Sequence, residues 1–228
     1  MELSLRLKKV ASMVEKCTRI ADIGTDHAYI PIYLIKNEIC ESAIATDINK
    51  GPVEKAKVNI YLENLSDRIE CRLGGGFSTI KPSEVQCAII AGMGGNLIRD
   101  IIEEGIDVFK SIDYCVLQPV QNPEVLREYI YKCGYKIIDE ELCVEDNKFY
   151  EIMKIKFDRK PINLNPIYYE ISKVLIDKKH PLLKEYISYK LEKYYKIKEY
   201  ITGYTENSER KRAETIEKIK SLEGLLKR

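Results

Sequence analysis

Five short apolar runs alternate with amphipathic stretches over the first two thirds of the chain. We predict that these runs form strands at residues 19–23, 42–47, 69–73, 87–91 and 114–118. Helical spacing follows every run except the third, and Asn122 and Pro123 provide an N-cap and first position for the helix after the fifth. Repeated βαβ units build a mostly parallel sheet covered by helices, so the pattern predicts an α/β fold.

Two further strands end the sheet in a different way. Residues 136–144 and 149–157 are separated only by a short polar turn that contains Asp146 and Asn147, which predicts an antiparallel hairpin. Five parallel strands closed by an antiparallel pair are typical of the class I (Rossmann-like) methyltransferase fold, whereas a dinucleotide-binding Rossmann fold ordinarily ends in another parallel unit. The order of elements therefore favours a methyltransferase over a dehydrogenase.

The loop after the first strand is the most informative stretch of the sequence. It reads ADIGTDHAY over residues 21–29, where a strand ends in a glycine turn and a helix begins. Nucleotide-like ligands bind beyond the carboxyl ends of parallel strands, and Gly24 would permit close approach of the backbone. Asp26 stands where a second glycine would let a pyrophosphate approach, and its carboxylate suits a ligand that bears an ammonium and a sulfonium. A tight turn with an Asx cap is the alternative.

Further residues with ligand-binding chemistry follow at the same predicted edge. Asp47 ends the second strand, where a carboxylate can accept hydrogen bonds from both hydroxyls of an adenosine ribose, including that of NAD. Glycine clusters at 74–76 and 92–95 would leave space for a flat base, with Phe77 or Met93 as an apolar wall. Gln118 could hydrogen-bond to a base edge. Simple loop turns are the alternative for both glycine clusters.

From about residue 161 the chain is predicted to be helical. A short element at 166–177 precedes a long helix that begins at Pro181, ends before Gly203 and is followed by a last helix from about residue 208. Apolar residues recur at three- and four-residue spacing on both long helices, namely Leu183, Ile187, Leu191 and Tyr194 on the first and Ala213, Ile216, Ile219, Leu222 and Leu226 on the second. This spacing predicts an antiparallel coiled-coil hairpin. We therefore expect a Rossmann-like domain at 1–160 and a helical domain at 161–228.

Charge is distributed unevenly between these two parts. Residues 157–228 contain 17 lysines and arginines against 11 aspartates and glutamates, whereas residues 1–156 contain 20 against 25. A basic helical segment joined to a mildly acidic domain suggests a polyanionic partner for the basic part. A solvated helical surface in a lysine-rich protein is the alternative.

The remaining composition favours a cytoplasmic protein. Seven cysteines occur without any C-x-x-C pair, which predicts reduced, mostly buried thiols rather than a disulfide framework or a metal site. Charged residues interrupt the N-terminal region, so we expect neither a signal peptide nor a transmembrane helix. We expect a cytoplasmic monomer that binds no metal and no membrane.

Four motifs together resemble a known family. ADIGTDHAYIP at 21–31, TDI at 46–48, AGMGG at 91–95 and LQP at 117–119 stand in the order and spacing of the bacterial tRNA (adenine-N1)-methyltransferases that modify adenine 22. The basic helical tail also matches, so the resemblance covers essentially the whole chain. The sequence departs from the family at Gly75, where an acidic or amide residue is usual, and at Phe77, which replaces leucine. Backbone contacts would replace the usual side-chain contact to the adenine amino group.

The resemblance implies S-adenosylmethionine as cofactor, tRNA as partner and methyl transfer to N1 of an adenine. Because adenine N1 carries a lone pair, catalysis would depend on alignment and electrostatics rather than on a general base. The predicted cofactor contacts are Gly24, Asp26, His27, Asp47, Ile48, Gly75, Gly76, Gly92 and Met93, and the predicted catalytic residues are Asp22, Gln118 and Tyr29. Tyr29 would stack on the extruded base. A small-molecule methyltransferase and a non-catalytic nucleotide-binding module are the alternatives.

Overall fold

The computed structural model describes residues 2–203 and 205–227. Its strands are β1 (Cys17–Ile23), β2 (Cys40–Asp47), β3 (Ile69–Leu73), β4 (Cys87–Gly94), β5 (Tyr114–Gln121), β6 (Tyr135–Glu145) and β7 (Lys148–Phe157). Its helices are α1 (Leu5–Ser12), α2 (Tyr29–Lys36), α3 (Lys50–Leu62), α4 (Gly95–Glu104), α5 (Ile106–Ser111), α6 (Pro123–Lys132), α7 (Ile167–Glu170), α8 (Lys173–Asp177), α9 (Leu183–Tyr200) and α10 (Glu206–Leu226). The chain forms two compact units that divide between Asn163 and Leu164.

All seven strands belong to one sheet in the first unit, in the order β3-β2-β1-β4-β5-β7-β6. Strands β1 to β5 pair in parallel, and β7 pairs antiparallel with both β5 and β6. Asp146 and Asn147 form the hairpin turn with φ values of 50° and 58°, the left-handed conformation that a two-residue hairpin loop requires. The predicted Rossmann-like sheet with a terminal antiparallel hairpin is therefore confirmed.

The core of this unit lies between the sheet and its helices. The central strands bury runs of β-branched and small residues such as Ile20, Ile89 and Ile90, because a parallel strand is covered on both faces. Among the buried charges, Arg127 of α6 forms ion pairs with Glu140 of β6 and Glu151 of β7. These pairs fasten the terminal hairpin to the helix that follows β5.

One sequence prediction in this unit is wrong. Phe77 does not form a wall of the ligand site, because it is 3% exposed and packs edge-on against Phe109 with ring centroids 6.2 Å apart. Gly105 makes room for it, since a β-carbon there would lie 2.5 Å from that of Phe77. The predicted start of α6 is confirmed, since Asn122 occupies the N-cap position and Pro123 begins the helix, although the left-handed Asn122 makes no side-chain capping hydrogen bond. The carbonyl of Asn122 instead packs directly over Gly95 at the start of α4.

The second unit consists of α7, α8, α9 and α10. Helices α9 and α10 pack against each other and bury four of the predicted apolar positions, Ile187, Leu191, Ile219 and Leu222. Ala213 is exposed and was wrongly placed on the packed face, where Thr215 is buried instead. The helical character of this segment is confirmed, and its coiled-coil geometry stays a prediction.

A buried ion cluster connects three helices of the second unit. Glu170 of α7 is 3% exposed and pairs with Lys190 of α9 and Lys218 of α10. Burial by itself would raise the pKa of this carboxyl, but the two lysines outweigh that effect and hold the pKa below its ordinary value. The cluster therefore fixes α7 onto the α9–α10 pair through charge.

Two expectations from composition concern the cysteines and the presence of a membrane-spanning helix. All seven cysteines are free thiols, and Cys40, Cys87, Cys115 and Cys143 are buried. Within residues 2–203 and 205–227, every helix is too short or too polar to traverse a lipid bilayer. The cytoplasmic location and the monomeric state stay predictions.

Candidate active site

A cleft of about 390 Å³ opens where β1 and β4 end. The order of strands reverses between these two neighbours, which is where open α/β sheets bind ligands. Six of the predicted site residues line this cleft together: Asp22, Gly24, Asp26, His27, Tyr29 and Gly92. Arg6 and Leu7 of α1 also line it, and no motif pointed to either residue.

The turn at Gly24 fixes the floor of the cleft. Its φ of +77° is in the left-handed region, which glycine adopts without strain. The amides of Gly24 and Thr25 donate to the carbonyl of Thr46 at 2.8 and 2.7 Å, which ties the end of β1 to β2. The side chain of Met93 fills the space on the other side of Gly24. The turn is thus held in shape by β2 and β4 together.

Asp22 is a buried carboxyl beneath this turn, with 7% of its surface exposed. Burial raises its pKa to about 6, opposed by a hydrogen bond from Thr25 and reinforced by the nearby charge of Asp47. At neutral pH most Asp22 side chains are therefore ionised. Burial makes the ionised form less stable, and a bound cation would offset this destabilisation. A carboxyl perturbed in this way and lining a cleft is a candidate for function.

Polar and aromatic contacts connect the side chains at the edge of the cleft. Asp26 lies 3.1 Å from Nε2 of His27 and 3.7 Å from Nζ of Lys55. The ring of His27 stacks on Tyr29 with centroids 4.8 Å apart and planes 10° apart. Asn59 of α3 donates to the carbonyl of His27 at 3.0 Å. One face of Tyr29 is thus covered by His27, and the ring orientation is fixed.

Asp47, Ile48 and Gly75 form a second surface beyond the end of β2. Oδ1 of Asp47 accepts from the amide of Asn49 at 2.7 Å, and its carbonyl accepts from Gly74 at 2.9 Å. Ile48 is 71% exposed. A β-carbon on Gly75 would lie 3.3 Å from Cδ1 of Ile48. The glycine that departs from the family pattern therefore stands directly beside an exposed apolar side chain.

Three more predicted residues, Gly76, Met93 and Gln118, do not line the cleft either. Gly76 packs against Ile101 of α4, 3.2 Å from where its β-carbon would stand. Gln118 is fully buried: its Nε2 donates to the carbonyl of Pro119 at 2.9 Å, and its Oε1 accepts from Nη1 of Arg6 at 2.6 Å. Because both ends of this amide are engaged, its predicted contact with a base edge has no support in the geometry.

The sheet order, the terminal hairpin and the cleft at the switch point define a Rossmann-like methyltransferase. The chain belongs, more narrowly, to the tRNA (adenine(22)-N(1))-methyltransferase family, TrmK, which it matches over residues 20–224. The tRNA (adenine(22)-N(1))-methyltransferase of Bacillus subtilis (strain 168) is 40% identical over 153 residues, which span 67% of this chain and 64% of that protein. The family resemblance seen in the motifs is confirmed.

Solved structures agree with this assignment over the full length of the chain. The crystal structure of the B. subtilis m1A22 tRNA methyltransferase TrmK superposes with a TM-score of 0.88 at 33% identity and covers 99% of both chains. The Streptococcus pneumoniae protein Sp1610, solved in complex with S-adenosyl-L-methionine, gives a TM-score of 0.87 at 29% identity over 99% of this chain and 100% of that one. Both units of this chain are therefore represented in these neighbours.

Proposed function

We propose that this protein transfers the methyl group of S-adenosylmethionine to N1 of adenine 22 in tRNA. The observation that carries the proposal is the cleft at the ends of β1 and β4, in which the family motifs bring Asp22, Gly24 and Gly92 together. The B. subtilis relative bears the name of this activity, and Sp1610 binds this cofactor. Membership of the family supports the reaction and the nucleotide position.

The cofactor fits the two surfaces described above, one for each of its ends. Asp47 would accept hydrogen bonds from the ribose hydroxyls, since its Oδ1 already fixes the side chain through the amide of Asn49. The exposed face of Ile48 beside Gly75 would pack against adenine, and the missing side chain at Gly75 gives the ring access to the backbone. Asp22 would balance the positive charge of the methionine end.

The chemistry demands alignment more than proton transfer. Bound S-adenosylmethionine supplies an electrophilic methyl group, and the N1 lone pair forms the new bond while the bond to sulfur breaks. The positive charge passes from sulfur to the adenine ring, so no proton has to leave in this step. The protein would hold the base in line and keep a carboxylate, Asp22, near the migrating charge.

Tyr29 is proposed to position the target base. Adenine N1 lies on the Watson–Crick edge, so the base has to leave its stack before it reacts. The ring of Tyr29 is held by stacking on His27 and lines the cleft. A fixed aromatic ring offers the extruded base a stacking partner worth about 1–3 kcal/mol.

The helical unit is proposed to bind tRNA. Exposed tyrosines and lysines alternate along α9, namely Tyr189, Lys193, Tyr195, Lys196, Lys198 and Tyr200. Lysines attract the phosphate backbone, and tyrosines stack on unpaired bases, so this combination suits RNA. A small substrate would not need such a surface.

The proposal is tested by incubating the purified protein with methyl-labelled S-adenosylmethionine and unmodified bacterial tRNA, followed by digestion and separation of the nucleosides. We expect the label in 1-methyladenosine. Label in 5-methyluridine, in a methylguanosine or in N6-methyladenosine would contradict the substrate assignment. Titration with S-adenosylmethionine and with NAD tests the cofactor separately, and binding of NAD alone would contradict the methyltransferase assignment.

A further inference from the structure

A second pocket of about 440 Å³ lies at the edge of the sheet opposite the cleft. Phe157 ends β7 there, and Tyr135 begins β6 beside it, close to the start of β5. The cleft occupies the other edge, at the carboxyl ends of β1 and β4. None of the described residues that line the second pocket belongs to the four family motifs. The proposed methyl transfer therefore gives this pocket no role.

Aromatic rings form the floor of the second pocket. The ring of Tyr135 is buried and packs edge-on against Phe109 with centroids 5.1 Å apart. The rings of Tyr129 and Phe157 lie 5.8 and 5.7 Å from that of Tyr135, and both residues are only half-buried. Tyr129 and Phe157 thus offer partly exposed rings that Tyr135 holds in place. A nucleobase stacks on surfaces of this kind.

Two cations approach the ring of Phe157. Nζ of Lys110 lies 5.0 Å from the ring centroid, and the guanidinium carbon of Arg159 lies 6.0 Å from it. Neither cation forms an ion pair with any residue in 2–203 or 205–227. Like charges near one ring repel each other, whereas an anion beside that ring is attracted by both. The aromatic floor therefore has a positive edge that suits a phosphate group.

The backbone after β7 holds Arg159 in this position. Its φ of +60° lies in the left-handed region, which residues other than glycine seldom adopt. The amide of Asp158 donates to the carbonyl of Gly134 at 3.0 Å, and the amide of Ile162 donates to that of Tyr131 at 2.8 Å. A β-carbon on Gly134 would lie 3.3 Å from the carbonyl carbon of Arg159, so the glycine lets the two segments approach. The position of Arg159 is thus fixed by its neighbours at the expense of local strain.

A carboxylate lines the part of the pocket near α6. Burial and, to a smaller degree, the charge of Glu103 raise the pKa of the Tyr129 hydroxyl and of the Cys133 thiol, so Glu103 lies near both groups. Its carboxylate would repel a phosphate and accept hydrogen bonds from donor groups. Guanine presents an N–H and an amino group side by side, whereas uracil presents a single N–H. Glu103 therefore favours guanine over uracil.

We propose that the second pocket binds a guanine nucleotide. Its base stacks against Tyr129 and Phe157 and donates to Glu103. Its phosphate lies beside Lys110 and Arg159. A free nucleotide and an unpaired nucleotide of tRNA present the same base and phosphate, so the chemistry of the pocket suits both sources. Because this site is separate from the cleft, its failure would leave the proposed function unchanged.

The first test titrates GMP, UMP and guanosine into the protein by NMR, with S-adenosylhomocysteine at saturation to keep nucleotides out of the cleft. We expect GMP to bind with a Kd of about 0.1–1 mM. The double variant Lys110→Gln, Arg159→Gln should weaken GMP binding about three- to tenfold and leave guanosine within about twofold, because guanosine lacks the phosphate. Lys81→Gln, which removes an exposed lysine elsewhere in the same unit, is the control and should bind both ligands as the wild type does.

Glu103→Gln tests the choice of base. The wild type should bind GMP about three- to tenfold more tightly than UMP, and the variant should lose most of this preference because an amide has one acceptor oxygen instead of two. UMP binding should stay within about twofold of the wild type. An unchanged preference in Glu103→Gln would overturn the guanine assignment.

Steady-state methylation of tRNA distinguishes the two sources of the nucleotide. If the nucleotide belongs to tRNA, GMP should compete with tRNA, and the double variant should raise the KM for tRNA about three- to tenfold without a change in S-adenosylmethionine affinity. If the nucleotide is free, GMP should bind while the KM for tRNA is the same in both proteins. No binding of GMP to the wild type, or equal weakening of GMP and guanosine in the double variant, would overturn the proposal.

Discussion

The methyl group of Met93 occupies the position that a β-carbon on Gly24 would need. Gly24 directly follows β1, and Met93 lies in the irregular end of β4, where the pairing with β5 shifts in register. The side chain of Met93 therefore fills the space that the missing side chain of Gly24 leaves. This contact joins the two strands on either side of the switch point. Because Gly24 lines the cleft, this contact supports the cleft wall from behind.

Gly24→Ala is expected to weaken binding of S-adenosylmethionine by at least about tenfold. The methyl group would displace Met93 into the cleft, and the left-handed backbone would add strain of about 1 kcal/mol. Calorimetric titration measures the effect. Met93→Ala in the same protein should restore part of the affinity, because it removes the atoms with which the new methyl group collides.

Gly51→Ala is the matched control for that substitution. Gly51 lies in α3, and a β-carbon there would have no atom within 4 Å. We expect unchanged ligand binding and a stability gain of about 0.4–1 kcal/mol. Equal loss of affinity in both glycine variants would contradict the role assigned to Met93.

Asp47→Ala should lower the affinity for S-adenosylmethionine by about 10- to 150-fold, which corresponds to about 1.5–3 kcal/mol for hydrogen bonds to a charged group. Asp47 is only half-buried at the end of β2, so the fold should persist. The control is Asp67→Ala, which removes an exposed carboxylate from the loop before β3. Unchanged affinity in the Asp47 variant would overturn the ribose assignment.

The pKa of Asp22 predicts a pH dependence with opposite signs for stability and for binding. In the free protein the folded pKa of about 6 exceeds the ordinary 3.8, so this group makes the fold less stable as pH rises through that window. Cofactor affinity should change in the other direction, because the ammonium group favours ionised Asp22. Between about pH 5 and about pH 7 we expect a gain of about tenfold.

Asp22→Asn provides the control for this pH profile. The amide cannot ionise, so the variant should bind weakly with a nearly flat dependence between about pH 5 and about pH 7. Calorimetric titration of both proteins across this range gives the comparison. Parallel slopes in wild type and variant would assign the dependence to another group.

The sequence predicted the architecture because its signals are local. Alternating apolar runs, the Asp146–Asn147 turn and the glycine after β1 each report on the few residues around them. Arg6 has no such signal: its partner Gln118 lies 112 residues away, and only the folded sheet brings the two together. A lone arginine on a short amphipathic helix is indistinguishable in sequence from a solvated charge.

The errors have a similar origin. Phe77 follows a glycine cluster and looks like part of a ligand site, but its ring packs in the core in the space left by Gly105, between α4 and α5. Ala213 fits the helical spacing of α10, yet the packing against α9 buries Thr215. The burial of Phe77 and of Thr215 depends on neighbours from other parts of the chain. The spacing of residues in the sequence does not identify those neighbours.

Glu170→Gln should destabilise the helical unit by about 2–3 kcal/mol, somewhat below the usual cost of removing one partner from a buried pair, because Lys218 is partly exposed. Lys190, which is itself buried, would lose its ion pair with Glu170. Hydrogen exchange of the α9 amides measures this effect without a two-state assumption. Glu217→Gln, an exposed glutamate on α10, is the control and should change little.

The Glu170 cluster also predicts an acid limit for this unit. The folded pKa is lowered, so the stabilisation is present above the unfolded value of about 4.5 and is lost as pH falls through the folded value. Protection of the α9 amides, relative to their intrinsic exchange rate at each pH, should fall below that point in the wild type and less so in Glu170→Gln. An identical acid response in both proteins would show that the Glu170 cluster does not cause the loss of stability in acid.

The position of the methyl group on the tRNA tests the proposed function most directly. Two tRNA transcripts that differ only at position 22, one with adenine and one with guanine, are incubated with the protein and labelled S-adenosylmethionine. We predict 1-methyladenosine in the first transcript, a reverse-transcription stop at position 22 because the modified Watson–Crick edge no longer pairs, and no label in the second. Equal labelling of both transcripts, or label without that stop, would contradict the assignment.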